Sequence, residues 1–101
     1  MSNESLLSRS VYKAGSFPVL TASNFVEWLD LAEDVLLSKG LWGYVSGDET
    51  PPTDPSGRTA FQREDAKAVA FLKSAAGTEQ RAHLLGIKSG KDVLDKLKAV
   101  H

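Results

Sequence analysis

A chain of 101 residues with 42% hydrophobic and 25% charged side chains is long enough for one compact core and too short for two ordinary domains. Its formal net charge is −1 and no run of lysines or arginines occurs, so the positive charge that nucleic-acid binding needs has no obvious source in this segment. The chain contains no cysteine, which removes disulfides, thiolate metal sites and cysteine nucleophiles.

Residues 1–16 predict an extended N-terminal arm, because they are rich in serine and their apolar residues are too scattered to define a helix. The polar beginning lacks the apolar core of a secretory signal, and no apolar run approaches the roughly 20 residues of a membrane span. We therefore expect a cytoplasmic protein without a membrane partner. After the arm, Pro18 withholds a backbone donor and favours an extended segment that crosses the core and ends at Leu20.

The clearest helical period of the chain covers the stretch that holds both tryptophans. Its apolar residues recur at three- and four-residue steps and so form one stripe of a helix. They are Phe25, Trp28, Leu29, Ala32, Val35 and Leu36. Asn24 and Glu27 have the spacing of a capping box, with Ser23 as the alternative cap. Lys39 and Gly40 predict the end of this helix, because a cation suits the negative end of the dipole and glycine enters the left-handed region.

A further helical turn is expected at residues 41–45, with Leu41, Trp42 and Val45 pointing inward. The proline-rich stretch 46–57 has no large apolar residue and is predicted to be a surface loop. A second long helix is expected from Ser56 or Thr59 to Ala76. Its apolar stripe consists of Ala60, Phe61, Ala68, Phe71, Leu72 and Ala75. We expect the two phenylalanines to meet the tryptophans of the first helix.

Two more helices are predicted in the last quarter of the chain. A short one runs from Thr78 to Leu85, and a last one begins at Ser89, which has the capping spacing with Asp92. The inner face of the last helix is expected to consist of Val93, Leu94, Leu97 and Val100. Because this helix has no capping residue after it, we expect a longer parent protein.

No segment alternates with the period of a half-buried strand. The sequence therefore predicts an all-α fold, a small bundle of four or five helices in a single domain over residues 17–101. The candidate core residues are Phe25, Trp28, Leu29, Val35, Leu36, Leu41, Trp42, Phe61, Phe71, Leu72, Leu94 and Leu97.

The order of these features resembles the N-terminal part of Gag from Ty1/copia-type LTR retrotransposons. The motifs that carry the resemblance are Leu20-Thr21-Ala22-Ser23-Asn24-Phe25-Val26-Glu27-Trp28, the pair Leu36 and Leu37, Lys39-Gly40-Leu41-Trp42, Val45-x-Gly47, the series Phe61, Asp65 and Ala68, and Ser89-Gly90-Lys91-Asp92-Val93-Leu94-Asp95-Lys96-Leu97. The chain departs from the family at Phe61 and Leu94, where tryptophan is frequent. The resemblance covers roughly residues 17–101.

What the resemblance implies is the N-terminal lobe of a capsid, a non-enzymatic protein that self-associates into the shell of a virus-like particle. Its partners would be other copies of itself, with RNA bound only through regions absent from this chain. It implies no cofactor, no metal and no small-molecule substrate. The alternative is a domesticated Gag-like adaptor, in which the same bundle binds a host protein or peptide in an apolar groove.

The residues themselves offer little for catalysis. His83 has no second histidine or cysteine at ligand spacing, which favours a structural or surface role. The pairs Glu33-Asp34 and Glu64-Asp65 are adjacent in sequence, so their side chains point about 100° apart on a helix and are expected on solvated faces. The glycines around Ser89 lack the spacing of a phosphate-binding loop. No catalytic residue is predicted.

Self-association is the function that these residues can carry physically, through the exposed sides of the first and third helices and the arm. The residues predicted for this surface are Glu27, Asp30, Glu33, Asp34, Arg63 and Lys67. Shell proteins use small contacts that become strong only through avidity in the lattice. An isolated lobe is therefore expected to be monomeric or weakly associating in dilute solution.

Overall fold

The computed structural model describes residues 17–101, and within that range it contains five α-helices, one 3-10 turn and no strand. In chain order the elements are α1 (Phe25–Ser38), α2 (Trp42–Ser46), α3 (Pro55–Ala76), α4 (Thr78–Arg81), the 3-10 turn (Ala82–Leu84) and α5 (Gly90–Val100). The predicted all-α class and the predicted number of helices are confirmed. The predicted N-terminal arm, residues 1–16, lies outside the described residues.

The core lies where the helices meet around α3. The short helix α2 packs most extensively on α5, both contact α3, and α1 packs on α2 and α3. The largest fully buried side chains are Trp28, Leu36, Val45, Leu72, Leu84, Val93 and Leu97. Residues from every long helix thus share one apolar cluster, and Leu20 joins it from the segment before α1.

Trp28 fixes α1 on the last turn of α3. Its side chain is 1% exposed, and its indole Nε1 donates a hydrogen bond of 3.1 Å to the backbone carbonyl of Ala75. The ring of Phe17 packs edge-on against Trp28, with centroids 6.1 Å apart, and edge-on against Phe71, with centroids 5.6 Å apart. Phe71 therefore reaches the first tryptophan through the ring of Phe17.

Half of the candidate core residues are buried in the core, and the other half lie at the margin of the core. The buried ones are Trp28, Leu36, Leu41, Leu72, Leu94 and Leu97, and the half-buried ones are Phe25, Leu29, Val35, Trp42, Phe61 and Phe71. Phe61 packs on Tyr44 of α2, with centroids 5.0 Å apart, and not on a tryptophan as predicted. The reason is that Phe61 lies near the beginning of α3, where α2 passes, whereas Trp28 lies at its end.

Two residues predicted to face inward are exposed. Ala60 lies at the edge of the apolar stripe of α3, and Val100 is the last residue of α5, where packing against the neighbouring elements ends. A helical period predicts the direction of a side chain, but burial also requires a neighbour at that height.

The cap of α1 differs from the prediction, although its position does not. Asn24 is the N-cap residue, but its side chain makes no capping bond. Its Oδ1 accepts from the backbone N–H of Thr21 at 2.7 Å, and its Nδ2 donates to the carbonyl of Val19 at 3.0 Å. The predicted capping box with Glu27 is therefore wrong, and Asn24 instead holds the extended segment before the helix. The predicted end is confirmed, since α1 stops at Ser38 and Gly40 has φ +73°.

The long helix α3 begins at Pro55, inside the stretch predicted as a loop. Asp54 is its N-cap, and its Oδ2 accepts from the backbone N–H of Gly57 at 2.8 Å and from the hydroxyl of Ser56 at 3.1 Å. An aspartate followed by proline is a strong beginning for a helix, because the carboxylate takes an unpaired amide and proline suits the first position. The hydrogen bond from Gly57, with that from Ser56, lowers the pKa of Asp54 below its ordinary value of 3.8.

Candidate protein-interaction surfaces

The outward side of α1 combines carboxylates with exposed apolar side chains. Val26 is 82% exposed and Leu37 is 54% exposed. Between them along the helix lie Asp30, which is exposed, and Glu33, which is half-buried. The steps of four, three and four residues place all four side chains on one line of the helix. We call Val26, Asp30, Glu33 and Leu37 the α1 outer face.

The six residues predicted for self-association lie on two helices. On α1, Glu27 is exposed beside the outer face and Asp34 is half-buried. On α3, Arg63 and Lys67 are four residues apart and share the exposed side that points away from Leu72. Lys67 forms an exposed ion pair of 3.1 Å with Glu64 of its own helix. The structure thus places the acidic residues of α1 beside two exposed apolar side chains, Val26 and Leu37.

A groove runs between α3 and the segment that connects the 3-10 turn to α5. Its wider part has a volume of about 840 Å³, and a narrower part of about 430 Å³ adjoins it past Ala66, Ile87 and Lys88. Small and apolar side chains line it at Ala66, Val69, Ala70 and Ile87, and basic side chains line it at Arg58, Lys73, Arg81 and Lys88. We call this feature the basic groove.

Asp65 holds the two walls of the groove together. Its Oδ1 accepts a hydrogen bond of 2.8 Å from the backbone N–H of Gly90, the first residue of α5. The hydroxyl of Ser89 accepts from the N–H of Asp92 at 3.0 Å, which is the predicted cap. The first interaction fixes the beginning of α5 against the middle of α3, and the second caps α5 within its own first turn.

The expectation that the Glu64-Asp65 pair lies on a solvated face is wrong for Asp65. Asp65 is buried, with only 9% of its surface exposed. The position could have been found from the helical period, because Phe61, Asp65, Ala68 and Leu72 follow steps of four, three and four residues along the inner stripe. A carboxylate at such a position indicates a buried hydrogen-bond partner.

Tyr44 lies half-buried on α2 near the same carboxylate. Partial burial raises the pKa of its phenol above 10.0, and the negative charges of Glu49, Glu64 and Asp65 raise it further. The phenol therefore stays neutral at physiological pH. With its ring against Phe61, Tyr44 acts as a packing residue.

The histidines, the acidic pairs and the glycines around Ser89 have structural, half-buried or exposed positions. His83 is exposed in the 3-10 turn, and residues 17–101 contain no group of three or more histidine, aspartate or glutamate side chains placed to hold a metal ion. The amides of Gly90 and Asp92, which a phosphate loop would offer to its ligand, already donate to Asp65 and Ser89. His101 stacks on Phe25, with centroids 5.3 Å apart, and its Nε2 lies 3.1 Å from Oε1 of Gln80.

In the described part of the chain, no helix is long and apolar enough to cross a membrane. No protein-family model, curated protein or solved structure matches the chain. The resemblance to Gag thus stays a prediction from the motifs, and the α1 outer face and the basic groove are the two surfaces from which a function can be argued.

Proposed function

We propose that this chain is a structural Gag-type capsid lobe of a Ty1/copia-type retrotransposon, which self-associates in the cytoplasm into the shell of a virus-like particle. The observation that carries the proposal is the α1 outer face. Val26 and Leu37 are exposed on a helix whose opposite side is buried in the core. Contact of these side chains with another molecule would remove apolar surface from water.

The composition of this face suits a weak and reversible contact. Two apolar side chains contribute little buried area, and the carboxylates between them keep the surface hydrated when no partner is present. Shell lattices use such contacts many times over, so that avidity replaces the strength of a single interface. The chain alone should therefore associate only at high concentration.

The test is sedimentation velocity of the 101-residue chain from micromolar to about millimolar concentration, combined with negative-stain microscopy of the concentrated sample. We expect the sedimentation coefficient to rise with concentration. A matched variant, Val26→Ser/Leu37→Ser, should melt like the unmutated chain, which we call the parent. Its sedimentation coefficient should lose most of its dependence on concentration. A parent chain that stays monomeric throughout, without particles at high salt, would argue against a shell protein.

The basic groove supports a second candidate, a Gag-like adaptor that binds a segment of a host protein. A groove of about 840 Å³ is large enough for several side chains of a peptide. The shell protein binds copies of itself, whereas the adaptor binds a host protein. If the open reading frame that encodes this chain continues into protease, integrase and reverse transcriptase, the shell protein is favoured.

A further inference from the structure

We infer that the basic groove of one copy binds the α1 outer face of a second copy, so that the chain associates head to tail. This inference rests on the proposed self-association and names the two surfaces that meet. Charge, fit and the relative position of the two surfaces support this contact.

The charges of the two surfaces are complementary. From Phe25 to Ser38, α1 carries four carboxylates and no lysine or arginine. The groove presents four basic side chains, and one of its two carboxylates, Asp65, is already engaged by Gly90. Opposite charges across a contact fix its register and select against other pairings, including acidic face on acidic face.

The apolar parts also fit. Small side chains at Ala66 and Ala70 let a helix approach α3 closely, and Ile87 offers an apolar wall. Eleven residues separate Val26 from Leu37, which is about 16 Å along a helix. The groove follows α3 from Arg58 to Lys73, a helical length of about 22 Å. The groove is therefore longer than the α1 outer face.

The two surfaces lie on different sides of the molecule. Trp28 binds α1 to α3 at Ala75, while the groove opens at Ala66. These two positions are nine residues apart, about 13 Å along α3, and the α1 outer face and the groove have no residue in common. A contact between one surface and the other is then heterologous, and each added copy leaves one face and one groove unoccupied for the next. Such a contact builds rings or filaments, the units from which a lattice can grow.

Charge reversal on each surface tests the inference. One variant is Asp30→Lys/Glu33→Lys on the α1 outer face, and the other is Arg81→Glu/Lys88→Glu in the groove. The matched control for the second is Lys96→Glu/Lys98→Glu, which makes the same change of charge at exposed positions of α5. Circular dichroism and thermal melting establish that all three remain folded.

Each surface variant alone should associate at least about tenfold more weakly than the parent, and the control should associate like the parent. An equimolar mixture of the two surface variants should regain association, because the groove of one variant meets the unaltered face of the other, and the reversed charges of the remaining face and groove are again opposite. Sedimentation velocity and titration calorimetry measure both results.

Three outcomes would overturn the inference. If the parent associates and either surface variant associates equally well, the surfaces are wrongly assigned while the shell function stands. If both variants are monomeric but their mixture forms no complex, the groove has another occupant, such as a host peptide. If the parent itself never associates, the proposed function fails together with the inference.

Discussion

The carboxylate of Asp65 accepts a hydrogen bond from the backbone N–H of Gly90 across 2.8 Å, and both residues are buried. Asp65→Ala would leave that amide without an acceptor in the interior. We expect it to lower the free energy of unfolding by about 1–3 kcal/mol. Asp65→Asn keeps an acceptor oxygen and should lose less. Chemical denaturation measures both.

Asp95→Ala is the control for this pair. Asp95 also accepts a hydrogen bond, from Lys91 at 3.1 Å, but both side chains are 55% exposed. Its removal should change stability by less than about 0.5 kcal/mol. Equal losses for Asp65→Ala and Asp95→Ala would contradict the buried role of Asp65.

Gly90 should not tolerate a side chain, although it lies in a helix. A Cβ there would lie 3.0 Å from Cγ2 of Val45 and 3.2 Å from Oδ1 of Asp65. Gly90→Ala should therefore destabilise the fold by about 1–3 kcal/mol through overpacking. At Gly43 of α2 a Cβ would lie 2.7 Å from Cγ of Glu49, but that side chain is exposed and can turn away, so Gly43→Ala should be neutral or stabilise by up to about 1 kcal/mol. Thermal melting that ranks the two substitutions in the opposite order would show that the approach of α5 to α2 is looser than described.

Trp28 should matter more to stability than Trp42. Trp28→Ala removes a fully buried ring and should cost about 3–5 kcal/mol, enough to unfold much of a small domain. Trp28→Phe retains most of the packing but loses the hydrogen bond to Ala75, so its cost should be intermediate. Trp42 is half-buried, and Trp42→Ala should cost less than Trp28→Ala. Urea denaturation of the three variants gives the ranking, and a Trp28→Ala protein that melts cooperatively at the midpoint of the parent would mean that the core lies elsewhere.

Acid should weaken the beginning of α3. The pKa of Asp54 is lowered in the folded chain because its carboxylate accepts from Gly57 and Ser56. The folded state then binds the proton less readily than the unfolded state, so this stabilisation is complete above the ordinary value of 3.8 and is lost as the pH falls below it. Asp54→Asn keeps a capping oxygen but does not titrate. The stability difference between parent and variant, followed from about pH 6 to about pH 2, should shift in favour of the variant in acid. A constant difference would mean that the cap does not depend on its charge.

Much of the fold follows from local sequence signals. Gly40 marked the end of α1 and Ser89 the cap of α5, because both act through their own backbone neighbourhood. The absence of a two-residue period gave the all-α class for residues 17–101. The beginning of α3 is less clear from the sequence: the predicted starts are Ser56 and Thr59, and the helix begins at Pro55, because Asp54 and Pro55 together form a helix start.

The surfaces were harder to predict, since they depend on residues distant in sequence. The groove lies between α3 and the residues before α5, beside the hydrogen bond from Gly90 to Asp65 that connects these two segments. Gly90 and Asp65 are 25 residues apart in sequence, so no local pattern predicts the groove. The acidic side of α1 was predicted from the helical period. The same period places Val26 and Leu37 on this side, and their exposure follows because the core buries Trp28 and Leu36 instead.

The difference between the two tryptophans gives the molecule its own optical probes. The indole of Trp28 is buried and donates a hydrogen bond to a carbonyl. Its emission maximum should therefore lie toward the blue, and its fluorescence should resist quenching by iodide. Trp42 is partly accessible and should emit further to the red and be quenched. A shift of the emission to the red on unfolding should therefore report mainly the exposure of Trp28, without any label.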